Sequence, residues 1–462
     1  MGSAGSMPAA TASGPMLPGP RPLIGHLARM RRDPLETLLA TSRLGDVARL
    51  HMGPRGTAFV ASHPDAVRRI LLDNRANYTK QTRGFDTLRA FLGQGLLTSE
   101  GSFWRKQRRI AQPAFHHAHL QRFATSMVEA AEDLARLWET RARDGRTFDV
   151  ADDMMRVTLR IVGECLFATD PSHESSVIGP EVEVLLQRFA TRITSPIALP
   201  LSWPLPGNRS VRRAIQRLHA VVDEMIAERQ RDPRQGAADL LELLMTTEDA
   251  DTGERMSARQ LRDEVLTLLV AGHETTAAAL GWTFVLLARH PEIDRRLEEE
   301  LRGLGDDPLT VADLQRVPFV GQVIHEALRL YPPAWIVARH IAADDELCGV
   351  KVGAGQLAIV SPWVTHRRPD LYPDPERFDP DRFRPEAGPA GGFSKFAYIP
   401  FGGGPRICIG NGFALMEAQL VLATLRRRFR VTLAPGASIQ PLPLLTLRCR
   451  DGVPATAQCV SS

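Results

Sequence analysis

One cysteine lies in a run of residue types suited to holding a ligand: Phe401-Gly402-Gly403-Gly404-Pro405-Arg406-Ile407-Cys408-Ile409-Gly410-Asn411-Gly412. Glycines let a backbone turn with positive φ and come close to a flat ligand. A thiolate is a strong anionic ligand for ferric iron. Backbone N–H groups and the start of the helix expected near Phe413 would hold Cys408 deprotonated. Arg406 can meet a carboxylate on the same ligand. A second run, Ala271-Gly272-His273-Glu274-Thr275-Thr276, is poor filler for a packing helix. Ala271 and Gly272 would let that helix pass close over a flat group. A threonine hydroxyl bonded back to the main chain opens a local groove for dioxygen and a water. Glu274 can connect that groove to solvent as a proton source, whereas His273 points to another face and reads as a surface or packing residue, not a ligand. Trp104 and Arg108 are four apart and share a helix face, where an indole N–H and a guanidinium can both bind a carboxylate. Glu326 and Arg329 are three apart and can pair. Each feature alone has a plainer explanation: a buried free thiol, a small-residue helix crossing, a solvated basic face, a surface ion pair.

Together they read differently. F-x-x-G-x-R-x-C-x-G is filled at every specified position from Phe401 to Gly410 and resembles the haem-binding loop of the cytochromes P450, the haem-thiolate monooxygenases. A-G-x-E-T-T, W-x-x-x-R and E-x-x-R occur in that family's order. The resemblance implies haem b (iron protoporphyrin IX), with Cys408 as the iron ligand. It implies haem contacts at Trp104, Arg108, Ala271, Gly272, Arg339, Phe401, Arg406 and Gly410, and oxygen and proton handling by Thr275 and Glu274. It implies a buried structural pair, Glu326 and Arg329, completed by a later arginine. Arg382 is favoured because the family's copy follows F-x-P, and Arg377 is the alternative. Substrate would touch Phe85, Leu88, Phe189, Val270, Ala334, Trp335, Ile336 and Val337. The implied reaction puts one atom of dioxygen into a lipophilic terpenoid or fatty-acid-like molecule. A haem-thiolate peroxygenase and a non-catalytic haem sensor or carrier are the rivals; an intact Glu274–Thr275 pair speaks against both, since neither needs a proton relay.

Several elements must position these residues. A proline-rich lead-in over residues 15–22 and a hairpin around Gly53-Pro54-Arg55-Gly56 come first. A helix over 64–74 follows, then an irregular loop over 77–101 carrying Phe85 and Leu88. The helix bearing Trp104 and Arg108 also carries Arg105, Lys106 and Arg109, a positive surface for an acidic electron donor. Amphipathic helices are expected over 120–170, 181–193, 210–231, 257–290, 320–330 and 413–428, with polar turns at 232–236 and 248–253. Strands are expected at 357–361 and 444–449, and a loose tail from 454.

The chain-wide numbers set limits. Over 462 residues, 44% are hydrophobic, enough for a sizeable core, and the formal net charge of +4 does not suggest nucleic-acid binding. The five cysteines are scattered and odd in number, against a disulfide framework or zinc site and in favour of a reducing cytoplasm. No apolar run approaches a membrane span, so no integral membrane anchor is expected. The expected fold is mainly α with small β-sheets (α+β), one catalytic domain over 21–455 between a flexible tail (1–20) and a loose end (456–462), and a monomer is expected. The chain ends soon after the cysteine loop, so separate electron donors are expected: a ferredoxin or flavodoxin and its reductase.

Overall fold

The computed structural model describes residues 14–167, 175–195, 200–203, 205–231, 239–384, 386 and 394–460. The turn expected at 232–236 lies outside these residues.

The fold is built around one long helix, Ala258–Arg289. Ser257 and Gln260 start it with a capping box, each side chain bonding the other's backbone N–H. Past its first turn it is apolar on nearly every side, from Leu261 through Leu287, so it runs through the core rather than along a surface. Val150–Phe167, Asn411–Arg426 and Pro318–Leu330 pack around it, and Pro206–Arg231 crosses it. Gly272 serves this packing: a Cβ there would lie 3.1 Å from Val162 Cγ2 of the neighbouring helix.

A five-stranded sheet lies to one side in the order Val47–His51, Thr57–Ala61, Leu357–Val360, Val337–Ile341, Tyr78–Thr79. The first two strands form the expected hairpin, and the second and third pair in parallel. This sheet carries Arg339 on its fourth strand.

Three expectations are corrected. The stretch 77–101 is not irregular throughout: Arg83–Leu92 is a helix, because Thr82 caps it and Leu88, Phe91 and Leu92 share a buried face. The C-terminal end is not loose up to residue 460. Pro454–Cys459 is a strand between Phe148–Asp149 and Phe429–Leu433, with Ala455 and Ala457 buried. The described part of the N-terminal segment is not a free tail either: Leu17 is 3% exposed, and its N–H bonds Arg49 O at 3.0 Å.

Candidate functional site

Gly402 and Gly404 turn the cysteine loop with φ of 73° and 64°. A Cβ on Gly404 would lie 2.1 Å from Leu71 O, so that glycine is required by close packing as well as by the turn. The Cys408 N–H closes the loop on Phe401 O at 3.0 Å. Helix Asn411–Arg426 then begins at Gly410, its N-terminal cap, and the Gly410 N–H faces the sulfur. Arg108 spans from its own helix to donate to Ile407 O at 2.9 Å.

The loop does not by itself hold a thiolate. Burial pushes the Cys408 thiol above its ordinary range, and the Gly410 N–H and Arg108 oppose this without reversing it. Yet Cys408 has exposed surface. A residue both deeply set and open faces an internal space. The central helix meets such a space as well: Ala271 is exposed although Leu268, Leu269, Val270, His273 and Glu274 around it are buried. One turn on, Thr275 Oγ1 donates to Ala271 O at 2.7 Å, the back-bond the sequence suggested. The helix nonetheless continues unbroken, so the open room comes from small side chains and not from a distorted turn.

Four cations gather at the edge of this site. Arg339 is 8% exposed, Lys80 5%, and Arg108 and Arg406 are half-buried. Their hydrogen bonds go to backbone carbonyls: Lys80 to Leu97, Arg339 to Ala338 at 2.9 Å, Arg406 to Ser99 at 2.8 Å. Among the described residues none of the four makes an ion pair. Glu100 is the carboxylate that acts on Lys80, Arg339 and Arg406. Burial, together with the mutual repulsion of these charges, pulls Arg339 and Arg406 down to about 10 and Lys80 well below its usual range. Trp104 lies under the Arg406 guanidinium at 4.1 Å, and the Phe85 ring is 5.0 Å from Lys80 Nζ and 5.5 Å from Arg339 Cζ. Buried cations without matched counter-charges call for an anionic ligand. Sequence reasoning missed Lys80, since a lone lysine in Tyr-Thr-Lys-Gln carries no pattern.

Glu274 is 1% exposed and bound on one oxygen by the Thr446 hydroxyl and by Arg448 Nε at 2.8 Å. Burial raises its pKa; Arg448 and Thr446 act the other way. Arg448 also reaches Glu183 at 2.5 Å. Glu183 and Arg448 help line a cavity of about 930 Å³ that includes His273 and Ala277 of the central helix. Glu274 thus connects outward through an arginine, and neither Thr446 nor Arg448 had a sequence signal that tied it to residue 274. His273 is a packing residue as expected: it is fully buried, and burial lowers its pKa to about 4.

Behind the cysteine loop, Glu326 and Arg329 are both fully buried and joined at 2.7 and 2.8 Å. Arg382 Nε lies 3.5 Å from Glu326 Oε1, and its guanidinium binds the carbonyls of Pro373 and Asp374. Arg377 contributes only its carbonyl, to Arg329 at 3.1 Å. The structure therefore brings Arg382 to the pair.

The apolar candidates divide. Leu88, Phe189 and Val270 are buried in one cluster with Phe85 packed against it, and a Cβ on Gly84 would lie 4.0 Å from Phe189 Cζ. Ala334 is exposed, and Ile336 and Val337 are half-buried. Trp335 is corrected: its indole donates to Leu444 O at 3.0 Å, and its ring packs with Leu27 and Trp363 in a separate core. Successive residues along an extended chain face opposite ways, which is why only part of 334–337 can line one space. The expected positive surface is also smaller than its sequence: Lys106 pairs with Glu254, and Arg109 with Asp249 and Asp251, leaving Arg105 exposed.

Comparison with known proteins bears on the whole of this arrangement. The family model described as Cytochrome P450 matches residues 15–448. Cyclooctatin synthase of Streptomyces melanosporofaciens is 36% identical over 93% of this chain and 92% of its own. From the same organism, cyclooctat-9-en-7-ol 5-monooxygenase is 37% identical over 91% of this chain and 90% of its own. Pentalenene oxygenase of Streptomyces avermitilis is 36% identical over 93% of this chain and 94% of its own.

Proposed function

The chain belongs to the cytochrome P450 family, and on that premise we propose that it is a monooxygenase that oxidises a terpenoid with electrons from separate protein donors. The observation that carries the site assignment is the cluster of Lys80, Arg108, Arg339 and Arg406 without matched carboxylates, beside an open-sided Cys408. These residues fit an iron porphyrin: a thiol for the metal, the small Ala271 where the central helix opens, and cations for two propionates. In this reading Cys408 holds the iron, and Trp104, Arg108, Arg339, Arg406 and Lys80 hold the carboxylates. The cofactor is haem b, and when bound it supplies the redox chemistry that activates dioxygen.

The chain's own part is positioning and proton control. The cysteine loop, fastened by Phe401 O and faced by the Gly410 N–H, fixes the sulfur. Supplying a metal cation next to the thiol lowers its pKa and overcomes the burial cost that raises it. Thr275 Oγ1, which donates its hydrogen to Ala271 O, can accept a hydrogen bond from within the site. Glu274 is the proton donor behind it. Thr446 and Arg448 hold one oxygen of Glu274, and its other oxygen takes up and releases the proton. Two protons and two electrons reduce one oxygen atom to water while the other enters a C–H bond of substrate.

The substrate class rests on the relatives named for pentalenene and cyclooctat-9-en-7-ol, and on an apolar wall of Phe85, Leu88, Phe189 and Val270. The one catalytic domain expected over 21–455 extends through the strand Pro454–Cys459. A ferredoxin or flavodoxin with its reductase is the donor class; no helix among the described residues is long and apolar enough to cross a membrane. The test is reconstitution with haem, a ferredoxin, its reductase, NADPH and a panel of cyclic terpene hydrocarbons and alcohols. Substrate-dependent NADPH consumption matched by a product heavier by one oxygen is expected. Turnover with peroxide alone and none with NADPH and donors would overturn the reading.

A further inference from the structure

We propose that His366 is a positioning residue for the cysteine loop, tying the end of helix Pro318–Leu330 to the residues that lead into the loop through one fixed imidazole tautomer. The inference rests on Cys408 being the thiolate ligand. His366 is fully buried. Its Nδ1 lies 3.1 Å from Arg329 O, and a carbonyl can only accept, so Nδ1 carries the proton. Its Nε2 is then a lone pair, and the Ile399 N–H donates to it at 2.9 Å. Two independent partners thus select the same tautomer. Arg329 returns a bond, Nη1 to His366 O at 2.9 Å, so the two residues clasp each other.

The chain of contacts continues to the sulfur. Ile399 O accepts the Gly402 N–H at 3.0 Å, and Phe401 O accepts the Cys408 N–H at 3.0 Å. The imidazole stacks on Tyr398 at 5.3 Å and meets Tyr372 edge-on at 6.4 Å, which fixes the ring plane. Glu326 and Arg382, on the far side of Arg329, hold the other end. Burial and the positive charges of Arg329 and Arg367 lower the His366 pKa to about 3, so the neutral form persists at physiological pH. A side chain here must donate on one side and accept on the other. An aromatic hydrocarbon of similar shape would leave Arg329 O and the Ile399 N–H as buried orphans.

The experiment compares His366→Phe and His366→Gln in the haem-loaded enzyme; glutamine keeps both a donor and an acceptor. Each variant is reduced, treated with carbon monoxide and scanned for the red-shifted difference band that marks thiolate ligation. A core variant, Leu280→Ala, controls for general loosening at a matched thermal midpoint. His366→Phe should raise the share of complex lacking the red-shifted band at least fivefold over wild type. His366→Gln and Leu280→Ala should stay within twofold. A full red-shifted band in folded His366→Phe, or an equal loss in Leu280→Ala, overturns the proposal. Should His366→Phe not accumulate, ¹⁵N-histidine spectra of the wild type decide: a proton on Nε2 in place of Nδ1 refutes it. Absence of the band from the wild type would instead refute the thiolate reading itself.

Discussion

At the scale of single residues, the proposed site separates groups that would act on the ligand from groups that hold them. Cys408 has no substitute: serine keeps the shape but not the soft anion, so Cys408→Ser should abolish the red-shifted carbon-monoxide band while the protein still folds. Thr275 supplies one hydroxyl already committed to Ala271 O at 2.7 Å, so its removal changes hydrogen bonding in the site without disturbing the core. Thr275→Ala should keep consuming NADPH while product per NADPH falls roughly tenfold, about 1.4 kcal/mol of discrimination, and peroxide accumulates. Peroxide release and product formation, measured together, check this. A Thr275→Ala enzyme that stays fully coupled would remove Thr275 from the mechanism. Lys80 offers a test with two signs. It is buried at 5% exposure near Arg339 and Arg406, and their charges repel it. Lys80→Met should therefore raise the thermal midpoint of the haem-free protein and speed haem loss from the loaded protein by roughly tenfold, about 1.4 kcal/mol. A surface lysine with no part in the site would move neither.

At the scale of elements, the central helix does more than carry Ala271, Glu274 and Thr275. Its first half fastens the segment that joins helix Arg83–Leu92 to helix Gly101–Ala111. Asp263 accepts the Gln94 N–H at 2.8 Å, and Glu264 accepts the Leu96 N–H at 2.6 Å. Glycines at 93 and 95 are needed there, because a Cβ on Gly95 would lie 2.1 Å from Thr267 Oγ1. Glu264 is fully buried, and burial pushes its carboxyl up to about 8. Its ordinary value is 4.5, so the folded protein holds a proton there that the unfolded chain releases. The stability tied to that proton is complete below the ordinary value and is lost as pH rises from 4.5 towards 8. Glu264→Gln mimics the protonated form at every pH. It should match the wild type near pH 4.5 and exceed it by roughly 2–4 kcal/mol at pH 8. Denaturant unfolding at both pH values measures this gap, and a gap that shrinks as pH rises would show that Glu264 is ionised in the fold.

At the scale of the molecule, what could be read from the sequence was what lies close together along it. The cysteine loop, the Glu274–Thr275 turn and the Glu326–Arg329 pair are each a few residues long, and the residue types required by their chemistry sit side by side. The main helices were legible for the same reason, through apolar periodicity. What could not be read joins distant segments. Arg448 meets Glu274 across 174 residues, Arg69 meets Asp345 across 276, and the Ile399 N–H meets His366 across 33. No local pattern records such pairs. The helix Arg83–Leu92 was hidden by Gly84 in its first turn and Gly93 just past its end, and the direction of Trp335 was settled by a core whose other members are far away in the chain. The C-terminal strand shows the same limit. Pro-Ala-Thr-Ala-Gln-Cys is too weakly apolar to announce itself, yet it fills the middle of a three-stranded sheet. Phe429–Leu433 follows the helix that starts beside Cys408, so this sheet anchors the far end of that helix. Removing the middle strand strands the backbone groups of both neighbours and exposes Ala455, Ala457 and the packing of Val431. A chain ending at residue 453 should therefore lose roughly 5 °C or more in thermal midpoint and release haem faster, whereas one ending at residue 460 should behave as the full chain. If the shorter chain melts and binds haem like the longer one, the sheet is not part of what holds the cysteine helix in place.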